Sequence, residues 1–472
     1  MCLTVAGSAK GSSHHKPRQL YDGLVAAAST PPNAAPASVN RQILSLAIPA
    51  FAALVAQPLF VVADTAVIAR LGTAELAGLA VGSTITTTLV GVFVFLAYGS
   101  TATVARLLGA GRRRDAVASG VQSMWLAVAL GVLVAALGWA LAPQLAGWLG
   151  AEGQVLGHAI SYLRWSLPGL PGMLLTLAAT GTLRGLADGR TPMVLAIAAA
   201  VLNLAGDLWF VFGLGMGVGG SGLATAIAET LMGLAATVVV VRGARRLGAG
   251  LSPSPSGMRT SLAVGTPLLV RTLALRAALL ATTAVAARLG TLTLAAHQVA
   301  FTIWGFLGFA LDAVAIAGQT LIGIALGRAD LAATRALTRR MLAWSLGAGV
   351  VLGALTIAVR GPLARLLTPD RGVQQAVTAA LLVIGATLVI TAWVTLFDGV
   401  LIGAGDGVYL ARVGVLVLAG YLPLAWAVAR FAPEGVAGVV WLWVGFAIGF
   451  MGLRALSLWA RQRTDAWMVT GA

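Results

Sequence analysis

The stretch PLFVVADTAVIARLGT, residues 58–73, sets one carboxylate, Asp64, in an otherwise apolar segment. Its second half, TAVIARLGT at 65–73, recurs as TAVAARLGT at 283–291, eight of nine residues identical and 218 residues further on. Where the first copy has Asp64 the second has Thr282. The same offset pairs Pro49 with Pro267, Leu108-Gly109 with Leu326-Gly327, Gly185 with Gly403, Asp188-Gly189 with Asp406-Gly407, and Gly217-Val218 with Gly435-Val436. One register kept over so long a span marks an internal duplication. The acid at 64 belongs to the first copy alone.

Working outward from this stretch, 59% of the 472 residues are hydrophobic and 10% charged, against about 25% charged in an average soluble domain. Most of this surface is therefore not meant for water. Residues 41–460 divide into about twelve apolar runs of roughly 20 residues, the length that crosses a bilayer. The runs do not alternate polar and apolar residues, which leaves helices as the spanning element. The predicted spans are 43–68, 76–104, 117–142, 158–183, 191–213 and 220–242, then 260–286, 293–325, 338–359, 374–402, 408–430 and 436–459. The expectation is an all-α integral membrane protein: twelve transmembrane helices in two parallel six-helix repeats, forming two lobes around a central cavity.

The formal charge of +16 does not imply nucleic acid, because the cations are scattered over loops rather than clustered. With a cytoplasmic amino terminus, 22 of the 31 Lys and Arg fall on the cytoplasmic side, six outside, and three (Arg164, Arg271, Arg276) within spans. This bias puts both termini in the cytoplasm. The loops GAGRRRDA after span 2 and GRADLAATRALTRR after span 8 are its main carriers. Residues 1–40 read as a disordered cytoplasmic tail without the apolar core of a signal peptide; the pair His14 and His15 there makes a poor metal site, and one cysteine, Cys2, excludes internal disulfides. The remaining division is a first lobe at 41–241, a flexible cytoplasmic linker rich in Gly, Ser, Pro and Arg at 242–259, a second lobe at 260–460 and a tail at 461–472.

Five acids fall inside predicted spans: Asp64, Asp207, Glu229, Asp312 and Asp398. A carboxylate facing hydrocarbon costs several kcal/mol, so such groups face the protein interior and are candidates for function. For Asp312 and Asp398 an ion pair with Arg271 or Arg276 is an equally good account. The first lobe has three such acids and one interior cation, Arg164, so carboxylates there lack ionic partners. Asn203 and Asp207, four apart, share a face of span 5, as Thr225 and Glu229 do on span 6. Two carboxylates, an amide and a hydroxyl supply the hard oxygens of a sodium site, or desolvate a carboxyl so that it takes up protons. At matching positions the second copy has Tyr421, Ala425, Trp443 and Ala447. Pro49 and Pro58, upstream of Asp64, each remove a helical hydrogen bond and mark a candidate hinge.

Asp115, Asp188, Asp330 and Asp406 stand beside loop cations or glycines, where turn formation or surface pairing suffices. GVGGSG at 217–222 satisfies a dinucleotide pattern but has no preceding strand. GAGD at 403–406 is similar to an intramembrane aspartyl protease motif, yet its counterpart GLAD at 185–188 makes it a turn at the end of a span. No P-loop lysine follows a glycine-rich loop, so transport would have to be driven by an ion gradient.

The chain resembles the multidrug and toxic compound extrusion (MATE) family, in its DinF branch. The residues that carry the resemblance are ADTAVIARLG at 63–72, LRGLADGRTPM at 183–193, LNLAGDLWFVFGLGMGVGGSGLATAIAE at 202–229, RTLALRAALLATTAVAARLG at 271–290 and FDGVLIGAGD at 397–406. The resemblance implies an antiporter that expels cationic or amphipathic organic compounds in exchange for protons or sodium, with no other cofactor and no enzymatic activity. It carries the family's cation site onto Asp64, Asn203, Asp207 and Thr225, which makes these the proton or Na+ ligands, with Glu229, Asp312, Asp398 and Arg271 secondary. One departure is that residues 260–287 contain no acid, where another branch of the family has one. Partners are then a small organic substrate and membrane lipids, with no nucleic acid. A monomer in the plasma (inner) membrane is expected. The rivals are a flippase for lipids or lipid-linked oligosaccharides on the same plan, for which Arg271 and Arg276 speak, an intramembrane protease and a passive channel.

Overall fold

The computed structural model describes residues 36–471; the predicted tail with Cys2, His14 and His15 lies almost wholly outside them. Among the described residues there is no strand. The first repeat comprises α1 (Pro36–Ile68), α2 (Thr73–Val92), α3 (Phe95–Gly109), α4 (Arg113–Ala140), α5 (Ala142–Trp148), α6 (Gly153–Ser166), α7 (Leu170–Gly185), α8 (Arg190–Asp207) and α9 (Val218–Arg246). The second comprises α10 (Pro255–Arg288), α11 (Thr291–Gly327), α12 (Leu331–Leu367), α13 (Arg371–Gly403), α14 (Gly407–Phe431), α15 (Val436–Val444) and α16 (Met451–Gln462).

Eleven segments among the described residues are long and apolar enough to cross a membrane, α2 with α3 forming one and α15 with α16 another. The predicted fourth span is the exception. It is built from α6 and α7, joined by a 3-10 turn at Leu167–Gly169, where Pro168 withholds a backbone donor. Together α6 and α7 run over the expected stretch, so the all-α multi-span fold is the one found.

Three boundaries differ from the sequence reading. The first helix starts at Pro36, ahead of the predicted span at 43 and of the lobe boundary at 41. The linker, whose composition reads as flexible, is pinned to α4: Gln122 donates to the Ser252 carbonyl at 2.9 Å and accepts from the Ser254 amide at 2.8 Å, and the Trp125 indole donates to the Leu251 carbonyl at 2.9 Å. The segment after Gln462 is also built in. Trp467 and Met468 are buried, and the Arg106 guanidinium of α3 donates to the carbonyls of Val469, Gly471 and Ala404. The Gly471 amide in turn donates to the Leu326 carbonyl at 3.1 Å. Residues 465–471 thus strap α3 to α11.

The duplication is visible in the backbone. Turns that need positive φ recur at the same offset: Ala187 and Gly405 (63° and 77°), Gly111 and Ala329 (78° and 58°), Gly217 and Gly435 (57° and 77°). Packing repeats too. Gly181 and Gly185 let α7 lie against α3, and their counterparts Gly399 and Gly403 let α13 lie against α11. Where the repeats cross, Gly109 of α3 abuts the backbone of Ile324, and Gly327 of α11 abuts the backbone of Arg106. All four positions are related by the offset, and neither glycine leaves room for a methyl group. Small residues are what allow membrane helices such close approach.

This crossing lies at the end that carries the two basic loops. Further junctions between repeats lie toward the same end: Ala50 and Leu54 against Ala313 and Ile316, Phe95 against Gly265, and Ser123 donating to Ser261 at 3.2 Å. Above them the repeats enclose a cavity of about 280 Å³ lined by both.

Candidate functional site

Asp64 faces this cavity from α1, one residue before Thr65, whose hydroxyl is turned back to the Val61 carbonyl at 2.6 Å. Asp64 is 6% exposed and Asn203 and Asp207 are 0% exposed, so burial leaves their polar atoms dependent on one another. With the Asn203 amide turned so that its nitrogen faces Asp64, it donates to Asp64 Oδ1 at 2.9 Å, and its oxygen accepts from the Thr225 amide and hydroxyl at 3.3 and 3.2 Å. The Asp64 and Asp207 carboxyls face each other within hydrogen-bonding reach. Neither Asp207 oxygen has a donor, and the nearby Ser221 hydroxyl is itself unpartnered.

Two buried carboxyls at such short range cannot both carry a bare negative charge without a large cost. No Lys, Arg or His forms an ion pair with either among the described residues. A proton or a monovalent cation would supply the missing charge, and three oxygens without a partner, those of Asp207 and Ser221, lie beside it. The chemistry available is reversible ion uptake at one wall of a closed-ended cavity.

The sequence-predicted residues separate into two groups. Asp64, Asn203, Asp207 and Thr225 come together. Glu229 does not join them: it sits one turn further along α9, lines the cavity and makes no side-chain hydrogen bond or ion pair with the cluster. In the second repeat, Asp398 is 4% exposed and pairs with Arg271 and with Arg454, the latter at 3.0 Å. Asp312 lines the cavity within electrostatic range of both arginines, so the four charges offset one another. The ion-pair account of Asp398 holds with Arg271 but not with Arg276, which is exposed and reaches α2 at Gly91. Arg164 is also not an interior cation; it is exposed, 5.3 Å over the Trp139 ring. Pro49 and Pro58 both lie inside an unbroken α1.

Position 282 explains the asymmetry of the repeat. Thr282 shares a hydrogen bond of 2.7 Å with the Tyr421 hydroxyl, and Tyr421 packs on Phe446 and Phe450. Trp443 and Ala425 fill the places of Thr225 and Asp207. Aromatic packing has taken the volume that polar groups occupy in the first repeat.

Four residues escaped the sequence reading. Tyr162 on α6 is buried beside Asp64, Asp207 and Thr225, and Ser221 flanks Asp207. Ser221 carried a legible signal, since 221, 225 and 229 form one i, i+4 stripe; a single tyrosine in an apolar run carries none. Arg184 and Arg454, assigned by hydropathy to the cytoplasmic side, are interior cations, Arg184 on the cavity wall and Arg454 on Asp398. The remaining loop acids behave as read. Asp188 Oδ1 accepts from the Arg190 and Thr191 amides, Asp330 caps α12, Asp115 pairs with Arg112, and Asp406 pairs with Arg461 at 2.7 Å in the turn before α14.

Fold and site together define a multi-pass helical membrane protein built by duplication around one cavity, with a buried acidic pair on one side. A family model confirms the kinship: the chain belongs to the MatE family, matched over residues 49–209 and again over 267–427. Among curated proteins it is similar to DNA damage-inducible protein F of Escherichia coli (strain K12), 29% identical over 443 residues that cover 91% of this chain and 94% of the relative. It is similar to the probable multidrug resistance protein NorM of Thermotoga maritima at 24% identity, covering 86% and 89%. Its fold matches the bent form of the Vibrio cholerae MATE transporter VcmN (TM-score 0.81, 24% identity, 92% and 97% covered). It also matches a MOP superfamily transporter from Pyrococcus furiosus Vc1 (DSM3638), described as having a binding pocket of reversed polarity (TM-score 0.82, 22% identity, 91% and 96% covered).

Proposed function

We propose that this chain is a secondary antiporter of the plasma (inner) membrane that exports cationic or amphipathic organic compounds against an inward flow of protons or sodium. The observation that carries the reading is the Asp64–Asp207 pair, buried without a counter-cation at the wall of the cavity. Relatives named as multidrug resistance proteins support the substrate class. With the basic loops in the cytoplasm, both termini are cytoplasmic and the cavity is closed on that side. The protein acts as a monomer, bathed in membrane lipid, and as a transporter rather than an enzyme.

In this mechanism substrate occupies the cavity while the acidic pair is negatively charged. A coupling ion from outside binds at Asp64, held or tuned by Asp207, Asn203 and Thr225. Neutralisation removes the attraction for a cationic substrate and releases it outward. The two lobes, residues 41–241 and 260–460, then rock about the crossing of α3 and α11 and return the ion to the cytoplasm. Pro49 and Pro58 give α1 the bending freedom to follow. The flippase rival loses ground at Arg271, whose charge is taken by Asp398. The protease rival has no support at Asp406, which is held in a turn by Arg461.

The test is efflux of a fluorescent cation in proteoliposomes with pH and sodium gradients imposed one at a time. Asp64→Asn is expected to abolish gradient-driven transport while leaving a folded protein. Full gradient-driven efflux by that variant sinks the assignment, and the gradient that drives the wild type names the ion.

A further inference from the structure

The closed end of the cavity holds a charge without a counter-charge. Arg184, in the last turn of α7, is half-buried and lines the cavity, and among the described residues it forms no ion pair. Its electrostatic neighbour is the phenol of Tyr98, on the cavity wall. Four residues back on the same face of α7, Thr180 is 8% exposed and lines the cavity, and its hydroxyl has no hydrogen-bond partner.

The acids that would otherwise answer this cation are engaged or distant; Asp312, also on the cavity wall, lies within electrostatic range of Arg271 and Arg454 rather than of Arg184. Asp398 is held between Arg271 and Arg454, Asp64 is tied to Asn203 and faces Asp207, and Asp188 caps the amides of Arg190 and Thr191. Glu229 lies at the level of Thr176, whose hydroxyl donates to the Glu229 carbonyl at 3.1 Å. Thr176 is two helical turns from Arg184, about 12 Å along the axis at 1.5 Å per residue. A half-buried guanidinium on a cavity wall, with no ion pair and next to an orphan hydroxyl, is the arrangement that receives a carboxylate or another oxyanion.

We propose that Arg184, with Thr180 and Tyr98, binds the anionic group of the transported compound, so that the cavity accepts zwitterionic amphiphiles end-on. The anion sits at the closed end and the cationic group points toward Glu229. This rests on the reading of the cavity as the substrate site and narrows its substrate class.

The experiment uses two matched fluorescent probes. Rhodamine B carries a free carboxylate beside a delocalised cation, and its ethyl ester keeps the cation alone. Binding of each to the purified full chain in lipid nanodiscs is read by fluorescence anisotropy. Wild type is expected to bind rhodamine B about tenfold more tightly than the ester, as one charge-assisted contact is worth. Arg184→Gln should bring that ratio to about one, and Arg184→Lys should keep most of it. Binding of the ester to each variant reports that the cavity is folded. A wild type without preference for rhodamine B overturns the anion site, and so does an Arg184→Gln protein that keeps the wild-type ratio. Failure of wild type to move the ester down any imposed gradient in proteoliposomes counts instead against the antiporter reading, since binding does not depend on coupling.

Discussion

Asp207 is fully buried with neither oxygen on a donor, and in the proposed mechanism the coupling ion fills that place. The consequence is testable by single changes. Asn203→Ala removes the amide that orients Asp64 and leaves a carboxylate short of a charge-assisted hydrogen bond, so the apparent affinity for the coupling ion should fall roughly tenfold or more, measured as the shift in half-saturating ion concentration of efflux. The second repeat gives the converse. Thr282→Asp places a carboxylate among Tyr421, Ala425 and Trp443, where the Tyr421 hydroxyl and the Trp443 indole are neutral donors and no cation pairs with it, and the cost of burying it should appear as a lower midpoint of thermal unfolding in detergent. Unchanged unfolding of that variant would show that the aromatic pocket can accept an acid, and the asymmetry of the repeats would need another explanation.

At this scale the sequence was readable where chemistry is rare. A carboxylate in an apolar run is conspicuous, and i, i+4 spacing set Asn203 beside Asp207 and Thr225 beside Glu229, while the resemblance joined Asp64, Asn203, Asp207 and Thr225 in one set. Glu229 shared the spacing but not the cluster, because one turn along α9 carries it past the acidic pair. Arg184 was hidden by position, one residue past the predicted end of its span, whereas α7 continues to Gly185; Arg454 stands inside the predicted span 436–459 but was counted with the cytoplasmic cations that follow it.

Among the elements, α3 and α11 carry the closure. Gly109 and Gly327 each seat on the other helix's backbone, so Gly109→Ala or Gly327→Ala forces the two apart at a cost of about 1–3 kcal/mol. Because the two contacts are copies of one contact, either change should open the basic-loop end to a similar degree. Distance measurements between spin labels placed on the loops after α3 and α11 would register this as a longer mean separation; an unchanged distance distribution in both variants would mean that the helices slide to accommodate the methyl. The glycines themselves were legible through the repeat. Their contact across the two copies was not, since a repeat tells which positions are equivalent but not which of them meet. The 3-10 break at Leu167–Gly169 was also written in the sequence, at Pro168, within a run apolar enough to read as one continuous span.

For the molecule as a whole, residues 465–471 bind α3 and α11 together at the end where, in the proposed cycle, the lobes part. Removing them, or changing Arg106 to Ala, should weaken the closed form and raise the reactivity of a cysteine placed at the closed end of the cavity toward a reagent added from the basic-loop side. The two changes act on one set of contacts, so their combination should have little more effect than either alone. Additive effects would separate Arg106 from the strap. Composition marked the 242–259 linker as flexible and 461–472 was read as a tail, because the hydrogen bonds that hold both segments come from Gln122, Trp125 and Arg106, residues distant in sequence.

The strap and the linker occupy equivalent places: counted back by 218 residues, 465–471 falls on 247–253, the stretch held by Gln122 and Trp125. The segments that trail the last helix of each repeat are thus employed differently. The first became a connector that stays within its own half, and the second a clasp that spans both. Cargo attached to the two would be felt differently. A bulky fluorescent protein inserted in the connector would ride on one lobe as a passenger, while the same protein appended beyond the clasp would load the hinge of the transport cycle and slow its opening.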